Sequence, residues 1–263
     1  MLRVRRGLCR LMSEQRFLCT ACGLCCHGLL PLTIAEALSG AGRFPLAISI
    51  TPVKVKTPGH AGVGEIAATI AVTRKKTMPI LVTPVSFVPA HLPCPELDGD
   101  GLCSIHATKP LRCRTMPFYP YRDEAHQANM LTPRPGWLCE TGEEAPVVYR
   151  DRRIVDRTDF DAERDALVDQ APALRRYADL LLKHAPAHHA RVLKAAQSPV
   201  PGRVIVSFVS YLRYDNRLDL LDFAARQLPV LEVWAEKTAG DPKAAEHHRY
   251  YTEAMAELQR YRR

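Results

Sequence analysis

The pattern of apolar and polar positions changes character along the chain. Leu46 to Thr57 and Glu65 to Thr73 alternate in part and are rich in β-branched residues, which predicts two strands. The segment between them, Pro58-Gly-His-Ala-Gly-Val-Gly64, is a turn signal, so the two are expected to form a hairpin. Ile80 to Val88 is a third strand candidate, and Pro84 inside it predicts an edge position or a bulge. Thr33 to Leu38 reads as one short helical turn, and Pro146 to Val155 as a second hairpin. From Pro89 to Pro135 prolines and cysteines interrupt any period, which predicts a loop-rich wrap. Beyond it the period becomes helical. Leu174, Tyr177, Leu181 and Leu182 form one stripe, Leu218, Leu221, Ala225 and Leu228 a second, and Tyr251, Met255 and Leu258 a third. Pro186, Pro201, Pro229 and Pro242 are expected to punctuate these helices.

The expected class is α+β. An irregular cysteine-rich metal-binding domain with a small antiparallel sheet would span residues 12–145, and a mainly helical region residues 146–263. The 263 residues suffice for a buried core, and 47% apolar with 24% charged residues is ordinary for a globular chain. No apolar run is long enough to predict a membrane span. The net charge of +8 owes four arginines to the first ten residues (Arg3, Arg5, Arg6 and Arg10), and starting at Met12 would leave +4. Such mild basicity is better read as a solvated surface than as a nucleic-acid footprint. The arginine-rich start lacks the apolar stretch and cleavage site of a signal peptide, so a cytoplasmic location is expected.

In a reducing compartment the cysteines need an explanation other than disulfides, and metal binding is the usual one. Eight of the nine lie between Cys19 and Cys139, and Cys9 stands outside the pattern. Cys19-Thr-Ala-Cys22-Gly-Leu-Cys25-Cys26 sets three thiols at two-residue spacing, with Gly23 free to take positive φ and leave backbone amides for sulfur. Side chains of adjacent residues in extended chain point to opposite sides. Cys25 and Cys26 are therefore expected to serve two sites, or one to back up the other, rather than to share one mononuclear ion. Cys94, Cys103, Cys113 and Cys139 complete the pool, giving the count for two four-thiolate sites; one cluster with four spare thiols is the alternative. Lys109, Arg112 and Arg114 stand where they can offset thiolate charge.

Other candidates have simpler readings. His106, three residues after Cys103, is a possible replacement ligand but more often such a residue donates to a ligand or packs; His27 and His91 follow the same rule. His184, His188 and His189 read as helix surface, and Tyr119 and Tyr121 as packing. The glycines from Gly59 to Gly64 lack the lysine and hydroxyl residue of a phosphate loop. Neither a Gly-x-Ser-x-Gly elbow nor a His-Glu-x-x-His helix is found, so the sequence does not decide whether the protein is an enzyme.

The order Cys19-x-x-Cys22-Gly-x-Cys25-Cys26, Cys94, Cys103-x-Ile-His106, Lys109-Pro-x-x-Cys113-Arg, Cys139 resembles the CxxCxxCC cysteine-cluster family of zinc- or iron-chelating domain proteins. Family members usually carry tyrosine in place of His106 and arginine in place of Lys109. The flagellin lysine N-methylases look like distant relatives, and that resemblance implies an iron–sulfur cluster and a link to S-adenosylmethionine. Three functions are consistent with these residues: an iron–sulfur protein in redox or transferase support, a structural zinc module for a protein or nucleic-acid partner, and a metal-dependent enzyme such as a methyltransferase. The first is the favoured expectation. The helical half carries no motif, and no partner or substrate is indicated.

Overall fold

The computed structural model describes residues 14–54, 59–198, 202–215 and 218–261. The fold is α+β, with two antiparallel sheets and a set of C-terminal helices. In chain order the elements are β1 (Glu14–Arg16), β2 (Leu30–Pro31), α1 (Ile34–Ser39), β3 (Leu46–Pro52), β4 (Ala68–Thr73) and β5 (Lys76–Ser86). They continue with α2 (Leu111–Thr115), β6 (Val147–Arg150), β7 (Arg153–Ile154), α3 (Thr158–His184), α4 (Pro186–Gln197), β8 (Val204–Ser207), α5 (Phe208–Tyr214), α6 (Leu220–Thr238) and α7 (Ala245–Leu258).

The larger sheet runs β2-β5-β3-β8, with β4 also paired to β5. Strand β3 is buried at all but one position, because it lies between β5 and β8 with helices packed over it. The expected hairpin of β3 with β4 is not formed. Strand β4 instead forms a hairpin with β5, closed at Thr73 and Lys76. Of the turn assigned between β3 and β4, residues 55–58 lie outside the described residues, and Ala61–Glu65 form a short 3-10 helix. Strand β5 is longer than predicted and central, not an edge. Its proline is accommodated because the Pro84 carbonyl accepts from Leu32 N at 2.9 Å on the side where β2 ends, so the missing N–H removes no pair from the β3 side.

Helix α1 and the hairpin β6–β7 form as expected. Thr33 caps α1 in a capping box with Glu36, and the β6–β7 turn places Asp151 and Arg152 at positive φ. In α6 the buried face is Phe223, Ala224, Gln227, Leu228, Leu231 and Trp234, whereas Leu221 and Ala225 of the predicted stripe are exposed. Pro229 does not end this helix but sits inside it, exposed, as Pro172 sits inside α3. Pro186 and Pro242 do open new helical segments, and Pro201 and Cys9 lie outside the described residues.

The principal core draws on both halves of the chain, from Leu32, Ile48 and Ile80 to Tyr177, Phe208, Trp234 and Leu258. Gln227 fixes α6 to the sheet with three buried bonds: its amide oxygen accepts from Leu46 N at 2.9 Å and its nitrogen donates to the carbonyls of Ala41 and Phe44 at 3.0 and 2.9 Å. A smaller core of Phe17, Phe118, Leu131, Tyr149, Ile154 and Phe160 lies under the smaller sheet, with Cys139 against it. Among the described residues no helix is long and apolar enough to cross a membrane.

Candidate metal centre

The cysteines sit on loops that short backbone ladders draw together. Leu18 and Glu140 exchange two backbone bonds, at 2.8 and 3.0 Å, and Thr20 Oγ1 donates to Leu138 O at 3.1 Å. This antiparallel register puts Cys19 opposite Cys139 on one face of the ribbon. The chain then turns at Ala21 and Gly23, both at positive φ, and Cys26 N donates to Gly23 O at 2.9 Å. A Cβ on Gly23 would stand 2.9 Å from the Gly101 carbonyl, so both the turn and the neighbouring loop require glycine here, as its place between cysteines suggested. Next, Cys94 N donates to Cys26 O at 2.8 Å and Gly28 N to Leu92 O at 3.1 Å. The 94–104 loop closes on itself through a Leu97–Cys103 bridge.

Cys113 arrives on α2, whose five residues are held from both sides. Glu36 Oε1 accepts from Leu111 N at 2.6 Å, and Thr115 Oγ1 donates to Asp159 O at 3.1 Å. Arg114 pairs with Asp159, and Arg112 faces Glu163 with Nη1 to Oε2 at 3.4 Å. Arg112 and Glu163 are almost fully buried, at 5% and 3% exposure. Arg112 Nη2 donates to Phe118 O, and its guanidinium lies 5.4 Å from the Tyr119 ring.

The electrostatics show which thiols neighbour one another. Burial pushes the Cys139 thiol up, and Cys22, Cys19 and Cys25 add to that. Burial likewise pushes Cys113 up to about 12, with Cys94 and Cys103 next in effect, and it raises Cys94, with Cys103 adding. Cys26 is lowered by a hydrogen bond from Cys25 and feels Cys113, Cys94 and Cys103. Cys22 is lowered by the backbone amides of Leu24 and Leu138. Cys19, Cys22 and Cys139 thus neighbour one another along the 18–20/138–140 ribbon, and Cys26 neighbours Cys94, Cys103 and Cys113. The two groups meet at the adjacent pair, where Cys25 Sγ and Cys26 Sγ are 4.0 Å apart. Cys19 and Cys25 are exposed, whereas Cys26, Cys94, Cys103 and Cys113 are all half-buried.

All eight are free thiols. Among the described residues, no three Cys, His, Asp or Glu side chains converge tightly enough to cage an ion as they stand. As a donor set, eight thiols fit thiolate-bound metal. His106 and His27 are exposed and no described bond joins their side chains to the cysteines, while His91 Nε2 pairs with Asp241 Oδ2 at 2.6 Å. Of the expected basic residues, Lys109 favours the thiolates of Cys25 and Cys113, and Arg112 that of Cys113. Arg114 is committed to Asp159 instead. Tyr121 is buried and Tyr119 half-buried, as packing residues. The contributions of Glu36, Asp159 and Glu163 carry no local signal, because each acts through a contact distant in sequence.

Residues 18–135 match the CxxCxxCC family model, described as a "Putative zinc- or iron-chelating domain". Over this segment, a little under half of the chain, the sequence is similar to that family. The match includes seven of the eight cysteines, and Cys139 follows just beyond it. Chelation of zinc or iron is therefore the function that the family description attaches to the CxxCxxCC segment. No curated protein and no solved structure matches the chain. The resemblance to flagellin N-methylases and the link to S-adenosylmethionine gain nothing from these comparisons.

Proposed function

We propose that this protein is an iron–sulfur protein with two thiolate sites, Cys19/Cys22/Cys25/Cys139 and Cys26/Cys94/Cys103/Cys113, in redox or transferase support. The observation that supports this reading is that backbone ladders set Cys19 against Cys139 and Cys26 beside Cys94, with the adjacent Cys25 and Cys26 sulfurs 4.0 Å apart where the two groups meet. Thiolate-only donor sets suit iron–sulfur clusters, whose inorganic sulfide lets the protein sulfurs stand farther apart than a single ion does. Zinc is the second reading. It is favoured by the scarcity of regular structure between Pro89 and Glu144, where a closed four-thiolate site would supply folding energy to short turns.

Iron, zinc and acid-labile sulfide measured on anaerobically purified protein separate the two. Stoichiometric iron with sulfide and a brown colour is expected. A colourless protein holding two zinc ions would overturn the iron–sulfur reading and favour the second. The partition itself is tested by Cys19→Ser and Cys103→Ser, each of which should remove the metal of one set and leave the other. Loss of all metal from both variants would instead favour one joint site.

A further inference from the structure

Four leucines that each immediately precede a cysteine of the centre are exposed: Leu18 at 47%, Leu24 at 40%, Leu102 at 51% and Leu138 at 65%. They lie on three adjoining loops. The 18–27 loop is bonded to the 136–144 loop through Leu18–Glu140 and Thr20–Leu138, and Gly23 is packed against the Gly101 carbonyl of the 95–104 loop. Side chains this apolar are usually withdrawn from water; three of them flank the exposed Cys19 and Cys25 and the facing Cys139, and Leu102, beside Cys103, is on the adjoining loop. The same three loops hold six carboxylates, Glu96, Asp98, Asp100, Glu140, Glu143 and Glu144, and no lysine or arginine. Arg16, donating to the Glu143 carbonyl, and Arg134, over the Trp137 ring, border them, yet the loops themselves are acidic in a chain that carries +8. Thiolates beyond the metal's own charge would make this surface more negative still.

We propose that the leucine-bearing loops 18–27, 95–104 and 136–144 form the docking surface for a basic protein partner, one with lysines or arginines around an apolar centre. The leucines supply the area that excludes water, and the carboxylates steer and orient the encounter. Docking there would bring the partner directly over Cys19 and Cys25. The same carboxylates repel nucleic acid and anionic lipid. The added thiolate charge rests on the metal reading above, but the leucines and carboxylates do not.

The test uses the full chain and fluorescent synthetic helical peptides, read by anisotropy at low and moderate salt. A leucine–lysine amphipathic peptide is expected to bind, and a serine–lysine peptide of equal charge to bind at least tenfold more weakly. The double variant Leu102→Ser, Leu138→Ser should weaken the leucine–lysine peptide at least tenfold. Asp100→Asn with Glu143→Gln and Glu144→Gln should weaken it and flatten its salt dependence. Leu221→Ser with Val233→Ser, on exposed helical positions elsewhere, should leave it unchanged. Equal binding by the serine–lysine peptide, indifference to both sets of loop variants, or direct binding of labelled duplex DNA or anionic vesicles to the chain that the Leu102→Ser, Leu138→Ser variant weakens would overturn the proposal. Metal content is measured on the same samples. A chain that takes up no metal yet binds the peptide through these loops would remove the metal reading and sustain the docking surface.

Discussion

The buried pair Arg112–Glu163 offers a sharp test of how the cysteine-bearing helix is held. Both side chains are withdrawn from water, Nη1 and Oε2 stand 3.4 Å apart, and neither of these atoms has a hydrogen-bond partner. They border a cavity of about 10 Å³ shared with Thr33, Glu36 and Tyr121. Glu163→Leu keeps most of the volume but strands the guanidinium, and a buried charge left without its partner costs about 3–5 kcal/mol. For a chain of this size that corresponds to a fall in melting temperature on the order of 10 °C. Arg112→Met strands the carboxylate and also removes the bond to Phe118 O and the contact with Tyr119, so its cost is at least as large. The double variant removes both charges together. It is expected to lose only about 1–2 kcal/mol, for the hydrogen bond and the ring contact. The cycle should therefore show a coupling of at least ~2 kcal/mol. Urea unfolding followed by circular dichroism, in reductant and chelator so that metal makes no contribution, supplies the numbers. Additive single-variant costs, within about 0.5 kcal/mol, would refute the claim that the two charges compensate each other.

Other expectations follow from single residues. Glu163→Gln tests the sign of the pH dependence. Burial, the larger effect, raises the Glu163 carboxyl above its ordinary value of 4.5 while Arg112 opposes, so the native state holds this proton more tightly than the unfolded chain does. Wild type should gain stability over the variant as pH falls toward the ordinary carboxylate range, and lose that gain as pH rises through the elevated value; the opposite trend in urea midpoints would show that Arg112 dominates. Gln227→Leu strands three buried backbone groups and should cost about 3 kcal/mol or more in urea unfolding, against under ~1 kcal/mol if the amide is dispensable. Gly23→Ala combines positive φ with a contact to the Gly101 carbonyl. It should cost on the order of 1–2 kcal/mol and lower bound metal per chain, and unchanged metal content would show that the turn has room to adjust.

Much of the fold was readable where the pattern is local. Thr33 and Glu36 announce the cap of α1, and the 146–155 segment folds back at Asp151-Arg152. Strand pairing was less readable. Leu46 to Pro52 and Ala68 to Thr73 are both strands, yet the partner of each is β5, which β-propensity does not encode. The β8 segment, Val204–Ser207, has no sequence signal, because four residues next to a helix carry no measurable period. The stripe through Leu221 and Ala225 failed because Gln227, polar in sequence, belongs to the buried face and shifts it. At the cysteines the opposite holds. Their spacing proposes a pool, and the adjacency of Cys25 and Cys26 implies two directions, in line with their sulfurs standing 4.0 Å apart. What spacing alone does not supply is which of the dispersed four neighbours which of the quartet, because Cys139 comes opposite Cys19 across a ribbon with 119 residues between them in sequence.

That allocation bears on what two sites would do in one domain. The set containing Cys19, Cys22, Cys25 and Cys139 hangs on the ribbon that joins residues 18–20 to 138–140, at the surface and beside exposed leucines. The group containing Cys26, Cys94, Cys103 and Cys113 is half-buried throughout, with Cys94 packed against the principal core and Cys113 on a helix gripped by α1 and α3. A withdrawn site in a rigid frame exchanges its ligands slowly and feels a lower dielectric, so its charge interacts more strongly with its surroundings. An exposed site on a two-strand ribbon is open to partners and solvent. On the two-set reading proposed above, the outer site would be the one open to partners and solvent, and the inner one the more firmly held. The Cys25–Cys26 link places them side by side, so that a change of charge at one is felt at the other through a single peptide unit and a sulfur–sulfur separation of 4.0 Å.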